Sequence, residues 1–193
     1  MEFDVEKLTL QETYLRMVQL ITPRPIAWVS TLSVDGIANL APFSFFSGVG
    51  ANPPTVCFAP ANNAQGLPKD TLENVRRTGQ FVVNIVTEPV AQAMHRSSDE
   101  VGSEIDEFQH VGVQPASSVK VKPPRVQSAI AAMECTLHSA IALGTGPAGA
   151  NLVIGNVVYI HIQDDFVDQK SLHTIARVGR REYTEVKETF RME

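Results

Sequence analysis

The part of the sequence that most clearly indicates a fold is residues 26–42, I-A-W-V-S-T-L-S-V-D-G-I-A-N-L-A-P. Two apolar runs, 26–31 and 37–41, lie on either side of Val34-Asp35-Gly36. An Asp-Gly pair between apolar runs is a strong signal for a β-hairpin, because glycine readily takes the positive φ values that a tight turn requires. The stretch therefore predicts two antiparallel strands, the second of which ends at Pro42.

Most of the remaining chain also has the pattern of strands, with a few short helices between them. Asp70 and Glu73 have the spacing of an N-cap and its partner, Leu72 and Val75 supply an apolar face, and Gly79 is a typical stop. Strands are predicted at 55–59, 81–86, 131–138 and 151–162, and helices at 70–79 and 87–94. Many strands with few helices favour a mainly β fold, a β-barrel in one domain covering residues 1–193.

Composition and charge narrow the function classes. The net charge of −5 and the pI near 5.5 should repel nucleic acid phosphates, so no nucleic acid partner is expected. No stretch approaches the roughly 20 apolar residues that span a bilayer, and the acidic start, Met1 to Glu6, is unlike a signal peptide. A cytoplasmic protein without a membrane partner is the expectation. Cys57 and Cys135 lie in apolar runs and are interpreted as buried structural thiols.

One familiar motif is rejected. Gly144 to Gly149, G-T-G-P-A-G, matches the dinucleotide fingerprint G-x-G-x-x-G, whose mechanism requires a helix directly after it. The residues that follow, 151–158, are β-branched and interrupted by Gly155, so a hairpin loop is predicted instead. The five histidines have no metal-ligand spacing, and no metal site is predicted.

Three segments carry groups suited to a cofactor. Ser30 and Thr31 offer two hydroxyls at a strand end, and Lys69-Asp70-Thr71 places a cation, a hydroxyl and free N–H groups at a helix start, which suits a phosphate. Residues 39–46, N-L-A-P-F-S-F-F, could hold a flat heteroaromatic ring by backbone hydrogen bonds and packing. The polar, acidic residues 97–118 are predicted to form a long excursion with a helical turn near 104–108, and such loops are usually functional or mobile. Taken singly, each segment is also compatible with ordinary core or capping residues.

Together these segments resemble a known family. The order P-R-P-I-A-W-V-S-T, D-G-x-x-N-L-A-P-F-S-F-F, K-D-T-L-x-N and F-V-V-N is similar to that of the flavin reductase-like, FMN-binding split-barrel proteins, over about residues 16–183. The resemblance implies a Greek-key split barrel that forms a homodimer and binds FMN, with FAD as the alternative cofactor. The cofactor-binding residues that it implies are Arg24, Trp28, Ser30, Thr31, Asn39, Ala41, Pro42, Ser44, Lys69, Thr71, Asn84, Arg177 and Tyr183.

The resemblance favours one function and leaves others open. The first hypothesis is NAD(P)H:flavin oxidoreduction, in which reduced flavin then passes its electrons to oxygen, a partner oxygenase or another redox protein. Because the flavin carries the redox chemistry, no side chain is expected to act as a catalytic acid or base. The alternatives are a non-enzymatic FMN electron-transfer module reduced by a protein partner, a flavin-dependent reductase of an unknown small substrate, and a scaffold or regulatory domain that has lost its cofactor.

Overall fold

The protein is described from a computed structural model, which covers residues 1–169, 172–188 and 190–192. The β-strands are β1 (Arg24–Pro25), β2 (Ala27–Leu32), β3 (Ala38–Phe43), β4 (Phe46–Ala51), β5 (Pro54–Phe58), β6 (Gln80–Ile85), β7 (Pro115–Ala116), β8 (Arg125–Val126), β9 (Ala131–Ala142), β10 (Asn151–Ile162), β11 (Ile175–Arg177) and β12 (Tyr183–Glu185). The α-helices are α1 (Leu10–Leu20), α2 (Asp70–Thr78), α3 (Glu88–Arg96) and α4 (Glu107–Val111).

The main sheet is an antiparallel barrel that is open along one side. Its seven strands run in the order β3-β2-β6-β9-β10-β5-β4. The two edge strands, β3 and β4, are joined by Ser44 and Phe45 alone, so the sheet must curl enough to bring the end of β3 beside the start of β4. These edges are not paired with each other among the described strands. The predicted mainly β, Greek-key split barrel is confirmed, and β1, β11 and β12 form a small second sheet.

The barrel has an apolar interior and a second apolar layer outside. Phe58 lies at its centre, with ring centroids 5.1 Å from Phe43 and 5.4 Å from Phe81. Leu72 and Val75 of α2 join this cluster, which confirms the predicted apolar face of that helix. Trp28, Leu40, Met94 and Phe108 form a separate cluster on the outer side of β2 and β3, where α3 and α4 cover the sheet. The strands that carry the cofactor motifs are therefore buried on both faces.

Several predicted boundaries are wrong. Lys69, not Asp70, is the N-cap of α2, and Asp70 is the first helical residue. Pro42 does not end the return strand but lies within β3, which is tolerated because β3 is an edge strand and needs fewer backbone donors. The helical turn expected near 104–108 is α4, which begins at Glu107. Strand β4 and helix α1 are not among the predicted elements.

Other predictions are confirmed. Residues 143–150 form the loop between β9 and β10, so the glycine motif lies in a hairpin and precedes a strand. Gly155 lies at a register shift of that hairpin, as the predicted bend requires. Cys135 is buried, and burial raises the pKa of its thiol to about 12, as expected of a structural cysteine. The same prediction is wrong for Cys57, which is only half-buried on β5.

No helix among residues 1–169, 172–188 and 190–192 is long and apolar enough to cross a membrane.

Candidate functional site

A cleft of about 200 Å³ lies between strand β3, the start of α2 and the loop that follows α3. Five residues of the predicted cofactor set line it: Asn39, Ala41, Pro42, Lys69 and Thr71. They come from two segments that are about thirty residues apart in the chain. The fold therefore brings together the segment predicted to hold a ring and the segment predicted to hold a phosphate.

A network of buried hydrogen bonds fixes the polar end of the cleft. The amide oxygen of Asn39 accepts from Thr71 Oγ1 at 2.7 Å and from Thr31 Oγ1 at 3.2 Å. Asn74 Nδ2 donates to Thr31 Oγ1 at 3.1 Å. On its other side, Asn39 Nδ2 donates to Glu107 Oε2 at 2.6 Å. With both ends of its amide engaged, Asn39 is held in one orientation.

The first turn of α2 faces the same end of the cleft. The N–H groups of Leu72 and Glu73 both donate to the carbonyl oxygen of Lys69, at 2.9 and 3.1 Å. No side chain caps the helix, and the N–H groups of Asp70 and Thr71 have no hydrogen-bond acceptor among the described residues. Free N–H groups and the positive end of the helix dipole favour an anion, and Lys69 adds a full charge.

A smaller cavity of about 40 Å³ continues from the cleft past Pro42 and Ser98, which line both. Ser44, Arg177 and Tyr183 of the predicted set line this cavity. The guanidinium carbon of Arg177 lies 5.8 Å from the ring centroid of Tyr183. Arg177 Nε is buried and has no hydrogen-bond partner in the described part of the chain. The two cavities adjoin at Pro42 and Ser98 and are together called the groove, with the helix start at one end and the Arg177 and Tyr183 side chains at the other.

Arg24 of the predicted set lines neither cavity. Its buried guanidinium donates to the carbonyl oxygens of Val18 at 2.9 Å, Ile21 at 3.0 Å and Gly179 at 2.8 Å. These bonds tie the end of α1 and the chain near β12 to β1. Arg24 therefore supports the fold around the groove, and its direct contact with a cofactor stays a prediction.

Trp28, Ser30 and Asn84 are also fully buried behind the groove and line neither cavity. Trp28 Nε1 donates to Ser97 Oγ at 2.8 Å, and Ser30 Oγ donates to the carbonyl oxygen of Pro124 at 2.5 Å. Asn84 Nδ2 donates to the carbonyl oxygen of Trp28 at 3.0 Å. The Ser30 hydroxyl proton is thus donated to the protein, and a direct contact of Ser30 with a phosphate stays a prediction.

Glu107 belongs to the cleft but not to the predicted set. Its side chain is buried, and besides Asn39 Nδ2 it accepts the backbone N–H of Leu40. Burial, helped by the charges of Asp70 and Asp106, raises the pKa of its carboxyl group to about 7, against the opposing effects of the Leu40 hydrogen bond and Lys69. The sequence signal was weak, because Glu107 is one of many acidic residues in an excursion without periodicity.

Comparison with known proteins places the chain in a family. Residues 19–180 match the family model of the flavin reductase like domain. An uncharacterized protein of Aquifex aeolicus strain VF5 is 35% identical over 189 residues, which cover 95% of this chain and 94% of that protein. The chain belongs to the flavin reductase like domain family, so the resemblance stated from the motifs is confirmed.

Two solved structures are similar over the whole chain. Nitrilotriacetate monooxygenase component B from Bacillus cereus is 29% identical, with a TM-score of 0.94, and the match covers 100% of this chain and 98% of that one. The 2-nitrobenzoate 2-nitroreductase of Pseudomonas fluorescens is 28% identical, with a TM-score of 0.88, and the match covers 100% of this chain and 95% of that one. These similarities confirm the barrel and its connectivity.

Proposed function

We propose that the chain binds FMN in the groove and works as an NAD(P)H:flavin oxidoreductase. One observation carries this proposal: two adjoining cavities place an uncapped helix start, which suits a phosphate, beside a strand edge and a cationic, aromatic end, which suit a flat ring. Membership of the flavin reductase like domain family supports it. FMN is favoured over FAD because the motifs resemble those of FMN-binding split-barrel proteins.

The chemistry of the lining residues fits FMN. Lys69 and the free N–H groups of Asp70 and Thr71 at the start of α2 would hold the phosphate, and the Thr71 hydroxyl would contact it by turning away from Asn39 Oδ1. Ala41 and Pro42 of β3, with Ser44 just after it, would line the ring, because an edge strand leaves backbone groups on one side without a strand partner. Arg177 and Tyr183 would close the far end of the groove.

The protein's part in the reaction is binding and orientation. Bound FMN would supply the redox chemistry, accepting a hydride as NAD(P)H becomes NAD(P)⁺ and passing two electrons on to oxygen or a partner. The buried network around Asn39 keeps the polar end of the groove rigid, so the ring position on β3 does not depend on mobile side chains. No side chain of the groove is required as an acid or a base for hydride transfer.

A homodimer and a partner oxygenase belong to the same proposal. The Bacillus cereus neighbour is a component of a monooxygenase, which supports the delivery of reduced flavin to a separate oxygenase or redox protein. The homodimer is proposed from the family resemblance. Light scattering of the purified protein tests it directly, and a monomer at working concentration would contradict it.

A flavin-dependent reductase of a small organic substrate is the second candidate function. It is favoured by the similarity to the Pseudomonas fluorescens nitroreductase over the whole chain. The two candidates differ in the electron acceptor. Rapid NAD(P)H oxidation with 2-nitrobenzoate under nitrogen, with no turnover of free FMN, would favour the second candidate.

The first experiment is a visible absorption spectrum of the protein before and after addition of FMN, followed by oxidation of NADH and of NADPH. We expect a bound flavin band and turnover with at least one nucleotide. Lys69→Ala should weaken FMN binding, whereas Lys122→Ala, at an exposed position outside the groove, should not. A folded protein that remains colourless with added FMN and oxidises neither nucleotide would refute the proposal.

A further inference from the structure

Glu107 is joined to the proposed phosphate end of the cleft by a short chain of hydrogen bonds. Its Oε2 is 2.6 Å from Asn39 Nδ2, and the oxygen of the same amide accepts from Thr71 Oγ1 at 2.7 Å. Glu107 and Thr71 both line the cleft, and only 7% of Glu107 is exposed. A phosphate held by Thr71 and Lys69 would therefore lie close to a buried carboxyl group.

The charges around this end of the cleft are mostly negative. Among its lining residues Lys69 is the single cation, whereas Asp70, Asp99 and Glu100 are acidic in addition to Glu107. The segment before α4 adds Glu104 and Asp106, and strands β2 and β3 carry no titratable side chain. Helix α4 itself carries His110, and Arg96 of α3 donates to the carbonyl oxygen of Val111 at the far end of α4. A phosphate dianion and an ionised carboxylate repel each other where little water separates them. The state with a protonated carboxyl group therefore has the lower free energy.

We propose that Glu107 makes binding of the flavin phosphate depend on protons, because its carboxyl group takes up a proton when FMN binds. The inference rests on the proposed function, since it assumes that FMN occupies this cleft. It also assigns Glu107 a role in specificity. Riboflavin lacks the phosphate and should bind without proton uptake, so the preference for FMN over riboflavin should decrease as the pH rises.

The direction of the pH dependence follows from linkage. The pKa of Glu107 in the free protein is about 7, and a neighbouring phosphate would raise it further. FMN affinity should therefore be highest below that pKa and fall above it, by at most about tenfold per pH unit for one proton. The phosphate itself should already be a dianion there, because the second pKa of a phosphate ester is about 6.

The test is an FMN titration, followed by flavin fluorescence, from about pH 7 to pH 9. We expect the Kd of the unchanged protein to rise about tenfold across this range. Glu107→Gln, which keeps the size and most hydrogen bonds of the side chain, should bind FMN with a Kd that is nearly independent of pH. Asp70→Asn is the matched control, because Asp70 lines the same cleft and burial and Glu104 also raise its pKa. It should keep the slope but shift it to lower pH, because the charge of Asp70 helps to raise the pKa of Glu107.

Calorimetry on the unchanged protein gives a readout that needs no variant. Titrations near pH 7.5 in two buffers with different ionisation enthalpies should show proton uptake with FMN and none with riboflavin. FMN binding without proton uptake and with a flat Kd would overturn this inference and leave the proposed function standing. A slope that survives in Glu107→Gln and disappears in Asp70→Asn would also overturn it. If FMN does not bind at any pH, both proposals fail.

Discussion

Trp28 illustrates how a buried residue that does not line the groove can fix the position of a residue that does. Its indole is fully buried, and its N–H donates to the hydroxyl oxygen of Ser97, which in turn donates to the carbonyl oxygen of Met94. Ser97 also lines the cleft. The position of the loop after α3, one wall of the cleft, is therefore set by a buried aromatic residue of strand β2.

Replacement of Ser97 by Ala should destabilise the protein. The substitution leaves the buried indole N–H of Trp28 without an acceptor, and an unsatisfied buried donor costs about 1–3 kcal/mol. Urea unfolding measures the change in the free energy of unfolding. Ser98→Ala is the control, because the Ser98 hydroxyl is exposed and its loss should cost less than about 0.5 kcal/mol. Equal losses in the two variants would contradict the assigned role.

Glu134 should make the protein less stable in acid. Its side chain is fully buried, and burial alone would raise the pKa of the carboxyl group. Hydrogen bonds from His161 and from the N–H groups of Val119, Lys120 and Val121 outweigh burial and lower the pKa below its ordinary value. The ionised form therefore stabilises the fold above the ordinary carboxyl pKa, and this contribution is lost as the pH falls through the lowered pKa.

The corresponding variant is Glu134→Gln, which should cost about 1.5–3 kcal/mol near neutral pH because charge-assisted hydrogen bonds are lost. Urea unfolding from about pH 7 down to pH 4 should show the gap to the unchanged protein becoming smaller. Glu73→Gln is the control, since Glu73 forms an exposed pair with Arg77 that contributes little. A gap that stays constant with pH would rule out the ionic contribution.

Part of the candidate site could be predicted residue by residue. Three residues of the cleft lie in short motifs whose residue types and spacing can be recognised from the local sequence: Asn39, Lys69 and Thr71. The residue type of Ser30 suggests a phosphate ligand, but its hydroxyl group donates to the carbonyl oxygen of Pro124, which is 94 residues away. The carboxyl group of Glu107 is held in the cleft by the backbone N–H of Leu40, 67 residues away, so no local sequence pattern could indicate its role.

Some secondary structure elements could be predicted from local sequence, whereas others depend on their neighbours in the fold. Strands β2, β6 and β10 are rich in β-branched or aromatic residues, and α2 has an apolar face with a glycine stop, so local preference and final structure agree. Strand β4 contains two glycines and is exposed along most of its length, so it is a strand only because β5 pairs with it. Helix α1 begins with a complete capping box of Thr9 and Glu12. This pattern is present in the sequence, although the helix is not among the predicted elements.

The β9–β10 hairpin depends on the absence of a side chain at Gly155. A Cβ atom at this position would overlap the ring of Phe81 and come within 3.4 Å of Cys135 Cβ. Gly155→Ala should therefore lower the stability by about 1–3 kcal/mol, because the core has no room for the added methyl group. Gly48→Ala on strand β4 has open space around it and serves as the control. Thermal unfolding followed by circular dichroism compares the two, and similar melting temperatures would contradict the expected overlap.

At the scale of the whole molecule, FMN should stabilise the folded state. A ligand that binds only the native protein adds about 2.7 kcal/mol when its concentration is a hundred times the Kd. We expect the Tm to rise with FMN concentration in differential scanning fluorimetry or calorimetry. Lys69→Ala should need more FMN for the same rise, whereas the exposed Lys122→Ala should match the unchanged protein. A Tm that does not respond to saturating FMN would contradict the proposed site.

The free edge of strand β3 has a consequence for how the molecules behave towards one another. An edge strand can recruit a strand from another polypeptide only if it offers a continuous row of N–H and C=O groups. On β3, Pro42 has no N–H, and the N–H of Leu40 is already donated to Glu107. The edge of β3 is thus a poor template for cross-β stacking, and two residues that border the cleft or contact it, Pro42 and Glu107, account for this.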